Sequence, residues 1–237
     1  MSQRQENRLK WVTVVVFSMA MAWVESAVVY YLRTHIDRIE PHQTNPLPLI
    51  GYFGPVELVR ELATLVMLLT VGLLAGRTGR ARFGYAAMAF GVWDIFYYAF
   101  LKVMCGWPNS LFDWDILFLL PLPWWGPVLA PMLIAALMIL WGTLASQVER
   151  NPSLTLANGH VWFLCVLGAA LALYVFMSDA LRVADQGLPV IRAVLPAQFN
   201  WPLFLGALSL IASPLAWELW WLRGSGHEAK QRLKARG

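Results

Sequence analysis

Six apolar runs, each long enough to cross a hydrocarbon layer of about 30 Å as a helix of roughly 20 residues, dominate this 237-residue sequence. Only short polar segments separate them. A soluble domain of this length needs more than 14% charged residues to cover its surface, and a chain that is 59% hydrophobic is at home in a bilayer. The sequence therefore reads as all-α, a polytopic membrane helical bundle of six transmembrane helices at residues 11–33, 56–76, 83–103, 124–146, 160–181 and 201–222. Residues 1–237 form a single integral-membrane domain, with short tails at 1–10 and 223–237. Arg4, Arg8 and Lys10 resemble the charged start of a signal peptide. The run that follows carries Glu25 and ends at Arg33 with no small-residue cleavage site, so it is expected to be a retained span.

With six spans, the basic residues gather on one side. The amino tail, the loop with Arg77, Arg80 and Arg82, and the tail with Arg223, Lys230, Arg232, Lys234 and Arg236 all fall there. The positive-inside rule makes that side the cytoplasm, places both termini in it, and suits a bacterial-type inner (plasma) membrane. The net charge of +4 thus points to anionic membrane lipid as partner, not to nucleic acid. The opposite side holds a Pro-rich loop at 40–55, an acidic loop at 106–115 and a loop at 184–200.

Residues 116–123 are apolar but only eight in number, include Pro121 and Pro123, and lead into Trp124-Trp125-Gly126-Pro127. They are too short to span, and are expected to form a short interfacial or re-entrant helix feeding the fourth span, which Pro131 bends. Such a broken segment can line a cavity; an over-long span absorbed by tilt is the alternative.

Two carboxylates sit where hydrocarbon is expected, Glu25 in the first span and Asp94 in the third. An isolated acid at that depth costs at least about 2.5–3.5 kcal/mol on insertion scales, so such residues face a protein interior or a wet hollow. Along its helix Glu25 lies about 22 Å from Lys10, Glu61 about 24 Å from Arg77, and Asp94 roughly 16 Å from Phe83. Tyr97, Tyr98 and Lys102 follow Asp94 up the helix at spacings that share a face. Glu57, Arg60 and Glu61 open the second span, and Asp179 and Arg182 close the fifth, at the same outer level. Charges at helix ends also pair locally, and Glu57, Arg60 and Glu61 at i, i+3 and i+4 can satisfy one another, as can Asp179 and Arg182. Glu218, near the opposite end, is expected to snorkel beside Arg223.

Most of the 13 tryptophans fall at interfaces, where an indole anchors the helix. Trp23 and Trp93 lie deeper, each within two residues of an intramembrane acid, and are candidates for cavity walls. Histidines are absent from the span centres, and Cys105 and Cys165 are 60 residues apart near opposite helix ends. Haem, iron and thiolate sites are not expected. Glu25, Glu57, Glu61 and Asp94 could take a hard cation, but neither a metal nor a cofactor is expected. The sequence has no phosphate-cradling glycine loop, nucleophile elbow or His-Glu-x-x-His pair.

In size, aromatic density and paired intramembrane acids, carried by Glu25, Asp94, Trp23, Trp93, Tyr97 and Tyr98, the chain resembles the small integral-membrane terpene cyclases at the level of architecture. That resemblance implies a carboxylic acid acting among aromatic walls. Three functions fit the sequence. The first is an outward-facing site that binds a lipid-like or isoprenoid molecule and acts on it by general acid chemistry. There Asp94 or Glu25 is the donor, and Trp23, Trp93, Tyr97 and Tyr98 form the pocket with Glu57, Arg60, Glu61 and Lys102. The second is a component of a proton- or cation-coupled transporter. The third is an accessory or assembly subunit whose polar residues serve helix packing and a membrane-protein partner.

Overall fold

The computed structural model describes residues 2–37, 39–42, 53–119, 122–147, 159–187, 190–191 and 194–221. Six of its helices are long and apolar enough to cross a membrane, which makes this a multi-pass membrane protein. They are α1 (Gln3–His35), α2 (Phe53–Ala75), α3 (Gly79–Cys105), α4 (Leu129–Gln147), α5 (Gly159–Arg182) and α6 (Trp201–Trp221). The basic tail at 223–237 and most of the Pro-rich loop at 40–55 lie outside the described residues.

Local chemistry explains where the helices exceed the apolar runs. Helix α1 starts eight residues before the expected span because Ser2 and Gln5 form a reciprocal capping box and Lys10 pairs with Glu6 one turn away at 3.1 Å. Thr78 caps α3 by accepting from the Ala81 N–H at 3.2 Å, and Gly106 ends it in the left-handed conformation. Helix α6 pauses at Ala212 because Pro214 has no N–H for the Leu210 carbonyl. The Ser213 hydroxyl donates to that carbonyl instead, at 2.7 Å.

Helix α3 is the hub, packed by α1, α2 and α4. Glycine permits the closeness. A Cβ on Gly91 would lie 2.5 Å from the Ala135 carbonyl oxygen of α4, and one on Gly168 of α5 would lie 2.6 Å from the Ala207 carbonyl of α6. Lipid gives helices no hydrophobic reason to associate, so such small-residue seams supply the van der Waals contact that holds a bundle. At the end of the bundle opposite the hairpin described next, Glu218 pairs with Arg80 at 3.1 Å. Its expected neighbour Arg223 lies outside the described residues.

The segment expected as a short helix at 116–123 is instead part of an antiparallel hairpin, β1 (Trp114–Phe118) and β2 (Trp124–Pro127). Trp114 lies opposite Pro127, Asp115 opposite Gly126 and Ile116 opposite Trp125. Two physical reasons favour strands. Prolines push the residues before them to extended backbone, and the aromatic and β-branched side chains suit a pleated, half-buried ribbon. This pairing also delays α4, which starts at Leu129 and not at 124.

The hairpin folds back into the bundle. Its mouth is closed by the Val128 N–H on the Asp113 carbonyl at 3.0 Å and the Leu129 N–H on the Leu111 carbonyl at 2.8 Å. Asp115 lies beside Tyr98, whereas the Phe118 ring stacks 6.5 Å from Phe90, so the strand runs down α3 for the roughly 10 Å that three extended residues allow. Non-helical backbone at such depth survives only where protein or a cavity covers it. Here Trp124 stacks on Phe176 of α5, Gly126 lies against the same ring, and the Leu119 N–H meets the Glu61 carboxylate of α2 at 3.1 Å.

Candidate functional site: an acidic, aromatic cavity

Between α1, α2, α3 and the hairpin, with α4 and α5 behind, lies a cavity of about 350 Å³, at the small end of the range for ligand pockets. Helical spacing assembles its walls. Glu25, Val29 and Arg33 recur every four residues on one face of α1. Glu57, Arg60 and Glu61 cover the first turns of α2, and Trp93, Asp94, Tyr97 and Tyr98 cover α3. The hairpin contributes Asp115 to Leu119 and Trp124, while Ile134 and Met138 of α4 close the apolar side.

The acids differ in how they are held. Glu25 accepts from the Thr64 hydroxyl at 3.1 Å and pairs with Arg60, whose guanidinium also grips Glu57. One arginine of α2 thus holds Glu25 of α1 and, within its own helix, Glu57. Glu61, which could have completed a closed trio with its neighbours, turns to the hairpin's Leu119 N–H. Arg33 binds Asp115 at 2.8 Å, stacks 4.4 Å from the centre of the Trp107 ring, and donates to the Ile39 carbonyl at 3.3 Å. Asp115 also accepts from the Ile116 N–H at 2.9 Å and is only 1% exposed.

Asp94 has a different setting. Its side chain is 7% exposed, and its Oδ2 has no hydrogen-bond partner among the described residues. The same holds for the indole Nε1 of Trp93, which is 6% exposed, and for that of Trp124. A buried polar atom left unpaired costs about 1–3 kcal/mol, so these atoms on the cavity wall are free to pair with whatever fills it, water included. Rings flank the acid: Trp93 stacks on Tyr97 at 6.1 Å, and Tyr97 meets Tyr98 edge-on at 5.0 Å.

Of the residues singled out in the sequence, Glu25, Asp94, Trp93, Tyr97, Tyr98, Glu57, Arg60 and Glu61 all line this cavity. Trp23 does not; it is 48% exposed, with its ring edge-on to Phe100 at 5.1 Å. Lys102 is exposed as well, and donates to the Gly106 carbonyl at 2.7 Å, at the helix end. Asp179 and Arg182 pair with each other away from the cavity. Sequence reasoning passed over Arg33 and Asp115, because an arginine at a helix end and an aspartate in a loop each look solvated. The only available signal was the apolar stretch directly after Asp115, which no solvated loop needs. Among the described residues no three histidine, cysteine or acidic side chains are placed to hold a metal ion. The chain matches no protein-family model, no curated protein and no solved structure.

Proposed function

We propose that the cavity binds a lipid-like or isoprenoid molecule and that Asp94 acts on it as a general acid. The observation that carries this reading is Asp94 itself, buried on the wall of an aromatic cavity with an oxygen that no described residue engages. A proton donor must reach its substrate, and this acid has no competing partner at that oxygen. Glu25 suits the role less well: Arg60 and Thr64 already occupy its carboxylate, so its part is to hold α1, α2 and the wall in place. The hairpin and the apolar side chains of α4 cover the cavity and lower the polarity around its acids, which strengthens the polar interactions inside. Arg77, Arg80 and Arg82 support a reading in which that end of the bundle faces the cytoplasm of a bacterial-type inner membrane, with both termini on that side and the hairpin mouth facing outward.

Filling the cavity tests the reading. Ile134→Trp puts an indole into the open space, where it meets little of the overpacking cost of about 1–3 kcal/mol seen in solid cores. The wild type is expected to retain an amphiphile through purification in gentle detergent, and the variant to keep the wild-type thermal stability but lose that amphiphile, as read by native mass spectrometry. Equal retention by the two proteins places the bound molecule elsewhere and overturns the proposal; a purely structural accessory role gives that result.

A further inference from the structure

The charge balance of the cavity wall says what kind of polar end its guest carries. Five carboxyl groups, from Glu25, Glu57, Glu61, Asp94 and Asp115, face two guanidinium groups, from Arg33 and Arg60. Both guanidiniums are committed. Arg60 is shared by Glu25 and Glu57, and Arg33 is bound to Asp115 and stacked on Trp107. No lining residue is a further lysine, arginine or histidine among those described. A phosphate or carboxylate head would therefore enter a place where the positive charge is spent and negative groups remain, in surroundings of low dielectric where repulsion is strong. A cationic head meets the reverse. Asp94 offers an unengaged oxygen, and the Trp93, Tyr97 and Tyr98 rings beside it present faces that attract cations. The acids are not grouped as metal ligands, which leaves an organic cation.

We infer that the ligand is an amphiphile with a basic nitrogen at its polar end, the nitrogen seated on Asp94 beside the Trp93 and Tyr97 rings and the apolar body lying over Phe90, Ile134 and Met138. This rests on the lipid-site reading above and narrows it. An amine that arrives neutral takes the proton of the Asp94 carboxyl: the acid O–H breaks, an N–H forms, and an ammonium–carboxylate pair is left in the cavity; this transfer is the general-acid step, and departure of the neutral amine returns the proton to Asp94. The charges arise in place, so neither ion has to be carried through hydrocarbon.

Three probes of equal chain length separate the possibilities: tetradecylamine, tetradecanol and tetradecyl phosphate, titrated into the full-length protein in phosphatidylcholine nanodiscs with intrinsic tryptophan fluorescence as readout. The amine is expected to saturate with an affinity at least about tenfold above that of the alcohol, and the phosphate to give no saturable change. Asp94→Asn should bring the amine down to the level of the alcohol and leave the alcohol nearly unchanged. Phosphate binding as tight as that of the amine overturns the charge assignment and leaves the lipid site standing. Equal amine affinity in wild type and Asp94→Asn also overturns it, because the amine is then merely partitioning or bound elsewhere. A flat response to all three probes removes the site along with the assignment. The comparison among probes uses the wild-type protein alone, so it stands even if the variant misfolds.

Discussion

Arg60→Ala should lower unfolding stability by about 3–5 kcal/mol. The expected size follows from what is left behind. Arg60 is the shared partner of Glu25 on α1 and Glu57 on α2, and removing it strands two carboxylates on the wall of a cavity that offers no spare cation. Replacing a buried ion pair as a whole is far cheaper than breaking it. The triple variant Arg60→Ala, Glu25→Gln, Glu57→Gln should therefore recover most of the loss. Reversible unfolding in mixed micelles gives both numbers. A loss below about 1 kcal/mol is the behaviour of a solvated surface pair, and would mean that the Glu25–Arg60–Glu57 cluster does not join the helices.

Asp94→Asn should do the opposite, sparing the fold while stopping the chemistry. The amide matches the carboxyl in shape, and no described partner of Oδ2 is lost by the change. What disappears is the acidic proton. General acid catalysis by a placed side chain is worth about 10²- to 10⁴-fold, so conversion of a bound amphiphile that draws on this proton should fall by that factor at unchanged stability. Glu25→Gln is the control, because it weakens the bond to Arg60 and should cost more stability than Asp94→Asn does. If the order is reversed, with Asp94→Asn unfolding the protein and Glu25→Gln stopping turnover, the roles given to the two acids are exchanged.

Much of this arrangement was legible in the sequence. The apolar runs gave the bundle because a bilayer admits few other solutions, and the long spacing from Lys10 to Glu25 and from Arg77 to Glu61 put those acids at a common level. Depth is one-dimensional, however, and a cavity also needs direction. Trp23 precedes Glu25 by two residues, a turn of about 200° that sends it to the far side of α1, whereas Trp93 adjoins Asp94 and shares the flank of its face. Lys102 lies near the Asp94 face but beyond the cavity, drawn to the free Gly106 carbonyl at the end of α3. The hairpin was missed because short apolar segments look alike to helix and strand periodicity, and only tertiary support from Glu61, Phe90 and Phe176 lets strands descend here. Arg33 and Asp115 became visible as a pair once the hairpin brought them together.

Acids from α1 and α3 share one cavity roofed by the hairpin, and photolabelling can show all of its walls meeting one guest. A diazirine-bearing alkylamine, activated in nanodiscs and mapped by peptide mass spectrometry, should label the α1 segment around Val29, the α3 segment around Trp93 and Tyr97, and the hairpin around Phe118, with all three signals lost together in Ile134→Trp. Labelling confined to outward residues such as Trp23 and Val28, unchanged by Ile134→Trp, would contradict the account.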